Sequence, residues 1–215
     1  MAPMIATGLC LSWGAVLLCW LWSARRIKAT ERIEPATTRL VAYWLPLAVA
    51  FVLLGPGEWF GDSWLHERVF PRAIGFQWAA LSACVAGAAL SVWSRRVLGS
   101  NWSSVVVVKH DHALVEAGPY RWVRHPIYTG LLLLFMGNAM LVGDWRGVVA
   151  VAIVFASFWR KLRLEETWLT ARFGPAYRDY RARTGALLPR LRRAALRPGA
   201  SPAAARCASA VRARG

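Results

Sequence analysis

Gly118-Pro-Tyr-Arg-Trp-Val-Arg-His-Pro-Ile-Tyr-Thr-Gly130 runs without a linker into the apolar stretch Ile127–Val142. A dense polar block joined directly to a membrane-type segment places polar side chains at a membrane surface. Pro126 fixes the local geometry. Proline is tolerated in the first turn of a helix, sets its own φ, and pushes the residue before it out of the α region. His125 is therefore expected at the mouth of a helix rather than inside it. Gly118-Pro119 predicts a turn just upstream, and Gly130 clears space about one turn into the helix. A rigid turn with interfacial Tyr and Arg and no ligand is the plain alternative for this block.

The rest of the chain supports a membrane setting. Of its 215 residues 57% are apolar and 13 are Trp, yet its formal charge is +16. These features are separated along the sequence. Apolar residues form long runs, and Lys and Arg collect between the runs and in the tail. A multi-span membrane protein with a basic cytoplasmic side has this pattern. A basic nucleic-acid binder would not need five apolar runs, so no nucleic-acid partner is expected. Cys10, Cys19, Cys84 and Cys207 are scattered without metal-ligand or redox-motif spacing, which points to no metal site.

Five apolar runs predict an all-α, polytopic fold with five transmembrane helices. The runs are Met4–Trp22, Leu40–Leu54, Ala73–Val92, Ile127–Val142 and Gly147–Trp159. Met4–Trp22 lacks a basic residue ahead of it and a small-x-small cleavage site, so it reads as the first helix and not as a signal peptide. Pro46 lies within the second run and predicts a kink. In the third, Ala79, Ser82, Ala83, Ala86 and Ala89 recur at helical spacing, which suggests a small-residue face for close helix packing. Only Gly143-Asp-Trp-Arg146 separates the last two runs, so they form an antiparallel hairpin. Both are short for a full crossing, and a buried hairpin is their alternative.

Counting Lys and Arg sets an orientation. Arg25, Arg26, Lys28, Arg32 and Arg39 lie between runs one and two. Arg68 and Arg72 lie in the next connection, against Glu58, Asp62 and Glu67. Arg95, Arg96, Lys109, Arg121 and Arg124 lie in the third, and Arg146 alone lies in the fourth. Fourteen basic residues follow Trp159. The alternation places the N-terminus outside and the C-terminus in the cytoplasm. An Arg- and Ala-rich, Lys-poor composition points weakly to a bacterial inner membrane. Residues 1–196 read as one membrane domain, and 197–215 as a basic tail with little to pack.

Two polar elements flank the hairpin on one side: His110–Tyr128 and a second helix over Arg160–Arg172 that ends at Gly174-Pro175. The fold of the hairpin brings His112, Tyr120, Arg124, His125 and Tyr128 towards Arg160, Arg163, Glu165 and Glu166. Carboxylates this close to a membrane boundary need hydrogen bonds or cationic partners. A surface ion pair with Lys161 is the plain alternative for Glu165. Beyond the Gly-Pro break, Tyr177, Tyr180, Arg178 and Arg181 suggest a short amphipathic helix at the headgroup level.

These motifs in order resemble the isoprenylcysteine carboxyl methyltransferase-like and phospholipid methyltransferase-like family of integral membrane enzymes. The matching segments are Leu98-Gly-Ser-Asn-Trp-Ser103, His112-Ala-Leu-Val115, Gly118-Pro-Tyr-Arg121, Arg124-His-Pro-Ile-Tyr-Thr-Gly130, Glu165-Glu166, Phe173-Gly-Pro-Ala-Tyr177 and Tyr180. The likeness is strong over 98–189. It implies S-adenosyl-L-methionine as methyl donor in a cytosol-facing C-terminal region, and a lipid-like or otherwise apolar acceptor such as the carboxylate of an isoprenylcysteine. It also implies cofactor contacts from His112, Leu114, Val115, Tyr120, His125, Pro126, Tyr128, Glu165 and Glu166. An arginine near the acceptor is implied as Arg160 or Arg163, with His125 as a further catalytic candidate. The residue chemistry agrees, because this donor carries a carboxylate, an ammonium, a sulfonium and an adenine ring. No Rossmann-type glycine fingerprint is present. Two other readings stay open: a nicotinamide-dependent membrane reductase of the sterol-reductase type, and a non-catalytic membrane accessory protein.

Overall fold

The computed structural model describes residues 3–24, 30–33, 35–99, 107–109 and 114–190. The basic tail beyond residue 196 and His112 lie outside this set. The elements run α1 (Pro3–Ala24), β1 (Thr30–Ile33), α2 (Ala36–Arg39), a π-helical turn (Leu40–Trp44), α3 (Leu45–Leu53), α4 (Ile74–Leu98), β2 (Val107–Lys109), α5 (Pro126–Val142), α6 (Trp145–Phe173) and α7 (Pro175–Arg183). The strands pair antiparallel, Arg32 opposite Val108 and Ile33 opposite Val107. The α1–α2 and α4–α5 connections therefore meet on one side of the molecule.

The protein is an integral, multi-pass membrane protein, but the expectation of five spans is not met. Among the described residues, three helices are long and apolar enough to cross a membrane: Pro3–Ser23, Ala36–Leu53 and Ile74–Leu98. The physical reason lies in the last two apolar runs. α5 has 17 residues, about 25 Å at ~1.5 Å per residue, against a hydrocarbon layer of roughly 30 Å. The run Gly147–Trp159 has no boundary of its own. It continues unbroken into the polar helix expected over Arg160–Arg172, so that α6 is one helix of 29 residues. Its second half carries Arg160, Lys161, Arg163, Glu165 and Glu166.

The α5–α6 hairpin forms much of the core. Ala50 and Leu53 of α3, Leu132 and Phe135 of α5, and Ala150, Val154 and Phe158 of α6 make one buried cluster. Trp13 of α1 meets Phe51 and Phe135 edge-on at 5.1 and 4.9 Å. At the hairpin's tip Gly143 adopts φ 87° and closes α5 through a bond from its N–H to Ala139 O. Asp144 and Arg146 are buried there. Arg146 Nη1 donates to Leu53 O at 3.1 Å and also to Gly55 O. Asp144 lies 3.6 Å from Arg68, and Val69 N–H donates to Gly143 O at 2.9 Å. The tip is thus fastened to the α3–α4 connection, far from the polar base of the hairpin.

α4 and α5 approach closely, but not through the small-residue stripe expected from the sequence. Ala79, Ser82, Ala86 and Ala89 are exposed. The packed face is the neighbouring stripe of Ala80, Cys84, Gly87, Ala88 and Ser91. A Cβ added at Gly87 would lie 2.5 Å from Gly130 O, and one added at Gly137 would lie 2.5 Å from Ala80 O. Backbone contact at this distance is possible only between glycines and small residues.

Candidate active site at the base of the hairpin

The α5 N-terminus and the middle of α6 meet at the base of the hairpin. His125 is the N-cap of α5, with φ −123° and ψ 57°, and Pro126 is the first helical residue. The backbone here is clamped by the chain after α7. Arg124 N–H donates to Gly185 O at 2.9 Å, His125 N–H to Ala186 O at 3.0 Å, and Thr129 Oγ1 to Leu187 O at 2.7 Å. The residue that proline keeps out of the helix is therefore locked from behind, and its ring faces α6.

That ring lies between two carboxylates. His125 Nδ1 is 3.4 Å from Glu165 Oε2, and its Nε2 is 3.3 Å from Glu166 Oε1. Arg124 Nε donates to Glu166 Oε1 at 2.7 Å, and Arg181 Nε stands 3.5 Å from Glu166 Oε2. Arg124 also donates to the carbonyls of Arg181, at 3.2 Å, and Thr184. Tyr128 Oη donates to Glu165 Oε1 at 2.5 Å, and its ring stacks on His125 at 5.6 Å. Phe158 backs the Tyr128 ring at 5.1 Å.

The electrostatics follow from this arrangement. Burial alone would lower the pKa of His125, but the hydrogen bonds and charges of Glu165 and Glu166 outweigh it and raise the value above 6.5. Burial alone would raise both carboxyls. His125 and Arg124 instead bring Glu166 down to about 2, and His125, Lys161 and Tyr128 lower Glu165. The two carboxylates thus favour the protonated imidazole between them, and the imidazole in turn favours their ionised forms.

The two glutamates are not equivalent. Glu166 is 6% exposed, with both oxygens facing arginine or histidine. The Glu165 side chain is 23% exposed and has one phenol and one imidazole neighbour. Tyr120 is buried behind the cluster, and its carbonyl accepts from Tyr180 Oη at 2.6 Å. Burial pushes the Tyr120, Tyr177 and Tyr180 phenols up, so none ionises near neutrality. Tyr177 Oη is buried with no hydrogen-bond partner. Leu114 and Val115 are half-buried in the segment leading into the turn.

Two arginines are separated by the structure. Arg163 packs over Trp159 at 5.8 Å. Arg160 donates from Nη1 to Tyr43 Oη at 2.8 Å. Lys161 lies between two rings, 5.3 Å from the centroid of Tyr43 and 5.6 Å from that of Tyr128. Sequence reasoning passed over Tyr43 and Lys161 as site residues. Lys161 could have been found, since it lies one helical turn before Glu165. Nothing local marks Tyr43. A cavity lined by Arg68, Arg72, Gln77, Leu141 and Val142 lies at the far end of α5 and belongs to the tip.

The set of groups at the base fits a ligand bearing both charges and an aromatic ring. It offers an accessible carboxylate, nearby cations, and aromatic walls from Tyr128 and Phe158. Those are the needs of S-adenosylmethionine.

Relatives of known activity put this bundle in the class of membrane methyltransferases. The family described as phospholipid methyltransferase matches residues 76–176. The protein-S-isoprenylcysteine O-methyltransferase of Schizosaccharomyces pombe is 30% identical over 161 residues, covering 69% of this chain and 67% of that protein. Its counterpart in Rattus norvegicus is 28% identical over 162 residues, covering 73% of this chain and 57% of that protein. The solved structure of a eukaryotic intramembrane Ras methyltransferase, isoprenylcysteine carboxyl methyltransferase, shares the fold with a TM-score of 0.50 at 24% identity. That match covers 73% of this chain and 54% of the other. The chain belongs to the isoprenylcysteine carboxyl methyltransferase-like and phospholipid methyltransferase-like family of S-adenosylmethionine-dependent membrane enzymes.

Proposed function

We propose that this protein methylates the carboxylate of an isoprenylcysteine-like, lipophilic acceptor at the membrane surface. The observation that carries the reading is the unequal state of the two glutamates. Glu166 is consumed by Arg124, His125 and Arg181, whereas Glu165, held by Tyr128 and His125 with no arginine on it among the described residues, keeps a partly exposed side chain at the α5–α6 base.

S-adenosylmethionine supplies, when bound, an electrophilic methyl group on a sulfonium. Glu165 holds the donor's ammonium, and Tyr128 fixes the carboxylate rotamer through its 2.5 Å hydrogen bond. Half-buried Leu114 and Val115 line the donor, with buried Tyr120 and Pro126 backing them. His125, set between Glu165 and Glu166 at 3.4 and 3.3 Å, braces both carboxylates. No base is required, because a carboxylate acceptor of pKa near 4 is already ionised. Arg160, whose guanidinium points to Tyr43 on the same side of α6 as Lys161, orients the acceptor. Arg163, stacked on Trp159, does not. Rate enhancement comes from alignment and exclusion of water. The base of the hairpin faces the cytoplasm, and the N-terminus lies outside; the paired β1 and β2 connections are the more basic ones, which supports this side. An inner bacterial membrane suits the composition.

The test is Glu165→Gln. It is expected to weaken S-adenosylmethionine binding by roughly 1–3 kcal/mol, the value of a desolvated charge-assisted contact, measured by calorimetry on detergent-purified protein. Unchanged affinity with intact folding would remove Glu165 from the donor site. A radiolabelled methyl-transfer assay run beside a nicotinamide-oxidation assay separates this activity from a reductase.

A further inference from the structure

We propose that Tyr43 is a positioning residue of the transfer site, and that the π-helical turn carrying it aims the Arg160 guanidinium at the acceptor. The inference rests on the reading of Arg160 as the acceptor's cation.

The argument begins with Pro46. Proline has no N–H, so the carbonyl of Ala42 loses its partner four residues on. The structure answers this in two ways. The helix widens into a π turn over Leu40–Trp44, in which Leu45 N–H reaches back to Leu40 O. Ser157 of α6 then donates its hydroxyl to Ala42 O at 2.7 Å. The kink expected at Pro46 is therefore a docking point between the second membrane helix and α6. Arg160 lies one helical turn beyond Ser157.

Within the π turn Tyr43 alone is buried, while Leu40, Val41 and Trp44 are exposed. Single π turns inside α-helices are frequent at functional sites. Here the extra residue per turn rotates one aromatic side chain inward. The result is a continuous path from Arg160 to Tyr43, across Lys161 to Tyr128, and on to Glu165.

A flexible arginine loses much rotamer freedom when it must grip a ligand. A phenol oxygen held by a rigid helix removes part of that cost in advance. It accepts one of five guanidinium N–H donors and so does not itself use up the fork that a carboxylate takes.

The experiment uses the full chain in detergent, with S-adenosylmethionine and N-acetyl-S-farnesylcysteine. Tyr43→Phe keeps the ring and removes the oxygen. It is expected to lower kcat/KM for the acceptor about 10-fold with the donor dissociation constant unchanged. Arg160→Ala is expected to lose more, and the double variant no more than Arg160→Ala alone, since coupled residues are non-additive. Wild-type kinetics in Tyr43→Phe beside an impaired Arg160→Ala overturns the inference and leaves Arg160 in place. Additive losses, or an equal loss of donor affinity, also overturn it. Normal activity in Arg160→Ala, or no methylation of the probe by the wild type, removes the underlying reading and the inference with it.

Discussion

His125 shows how one residue can carry opposite charges' demands. Its raised pKa and the lowered pKa of Glu166 are two faces of a single buried cluster, and each has its own pH limit. The histidine's contribution to stability is complete below its unfolded value of about 6.5 and is lost as pH rises through the higher folded value. The contribution of Glu166 is complete above about 4.5 and is lost as pH falls through about 2. The apparent melting temperature is therefore expected to be flat between those two pH values and to decline on the alkaline side. Glu166→Gln leaves Arg124 as a buried cation without its carboxylate, which costs about 3–5 kcal/mol. It also lowers the pKa of His125 and so moves the alkaline decline to lower pH. Thermal melts of both proteins across pH check this. A variant with an unmoved alkaline limb would show that Glu166 does not hold the proton on His125. Most of this cluster was legible beforehand: Pro126 fixes where His125 lies, and the short turn at Gly143 folds α6 back over it. The partners of Arg160 were not legible, since Tyr43 lies 117 positions away and no local pattern joins them.

At the scale of elements, periodicity was readable and facing was not. α4 is built of Ala, Gly and Ser on several sides, so two small-residue stripes share the same helical repeat. The stripe with Gly87 is the one that packs, because only there does the α5 backbone come close enough to forbid a Cβ. Gly87→Ala is expected to destabilise the protein by about 1–3 kcal/mol, the cost of overpacking a tight interface. Ala86→Leu, on the exposed face, is expected to change little. Thermal melts in one detergent compare the two. Equal sensitivity of both variants would mean that the helix is rotated from the orientation described. The same limit explains the two lost spans. Hydropathy alone cannot tell a short membrane helix from a buried core helix, and α5 and α6 lie inside the bundle, where apolar residues are equally at home.

Across the whole molecule the hairpin joins two ends with different chemistry. Its base holds the imidazole–carboxylate cluster beside the paired connections of β1 and β2. Its tip is pinned by Asp144 and Arg146 to the α3–α4 connection. The spans Ala36–Leu53 and Ile74–Leu98 run between the β1–β2 side and the α3–α4 connection, so the base and the connection that holds the tip lie on opposite sides of the membrane. The basic residues agree, being sparse near the tip and dense near the base. Asp62 and Asp179 are both exposed and report on the two ends. With Cys10, Cys19, Cys84 and Cys207 replaced, Asp62→Cys in intact cells or sealed right-side-out vesicles is expected to react with a membrane-impermeant maleimide. Asp179→Cys is expected to react only after the membrane is opened. Labelling of both positions from outside would contradict the fold, since it would place tip and base on one side. The reverse pattern would keep the fold and turn the transfer site away from the cytoplasm.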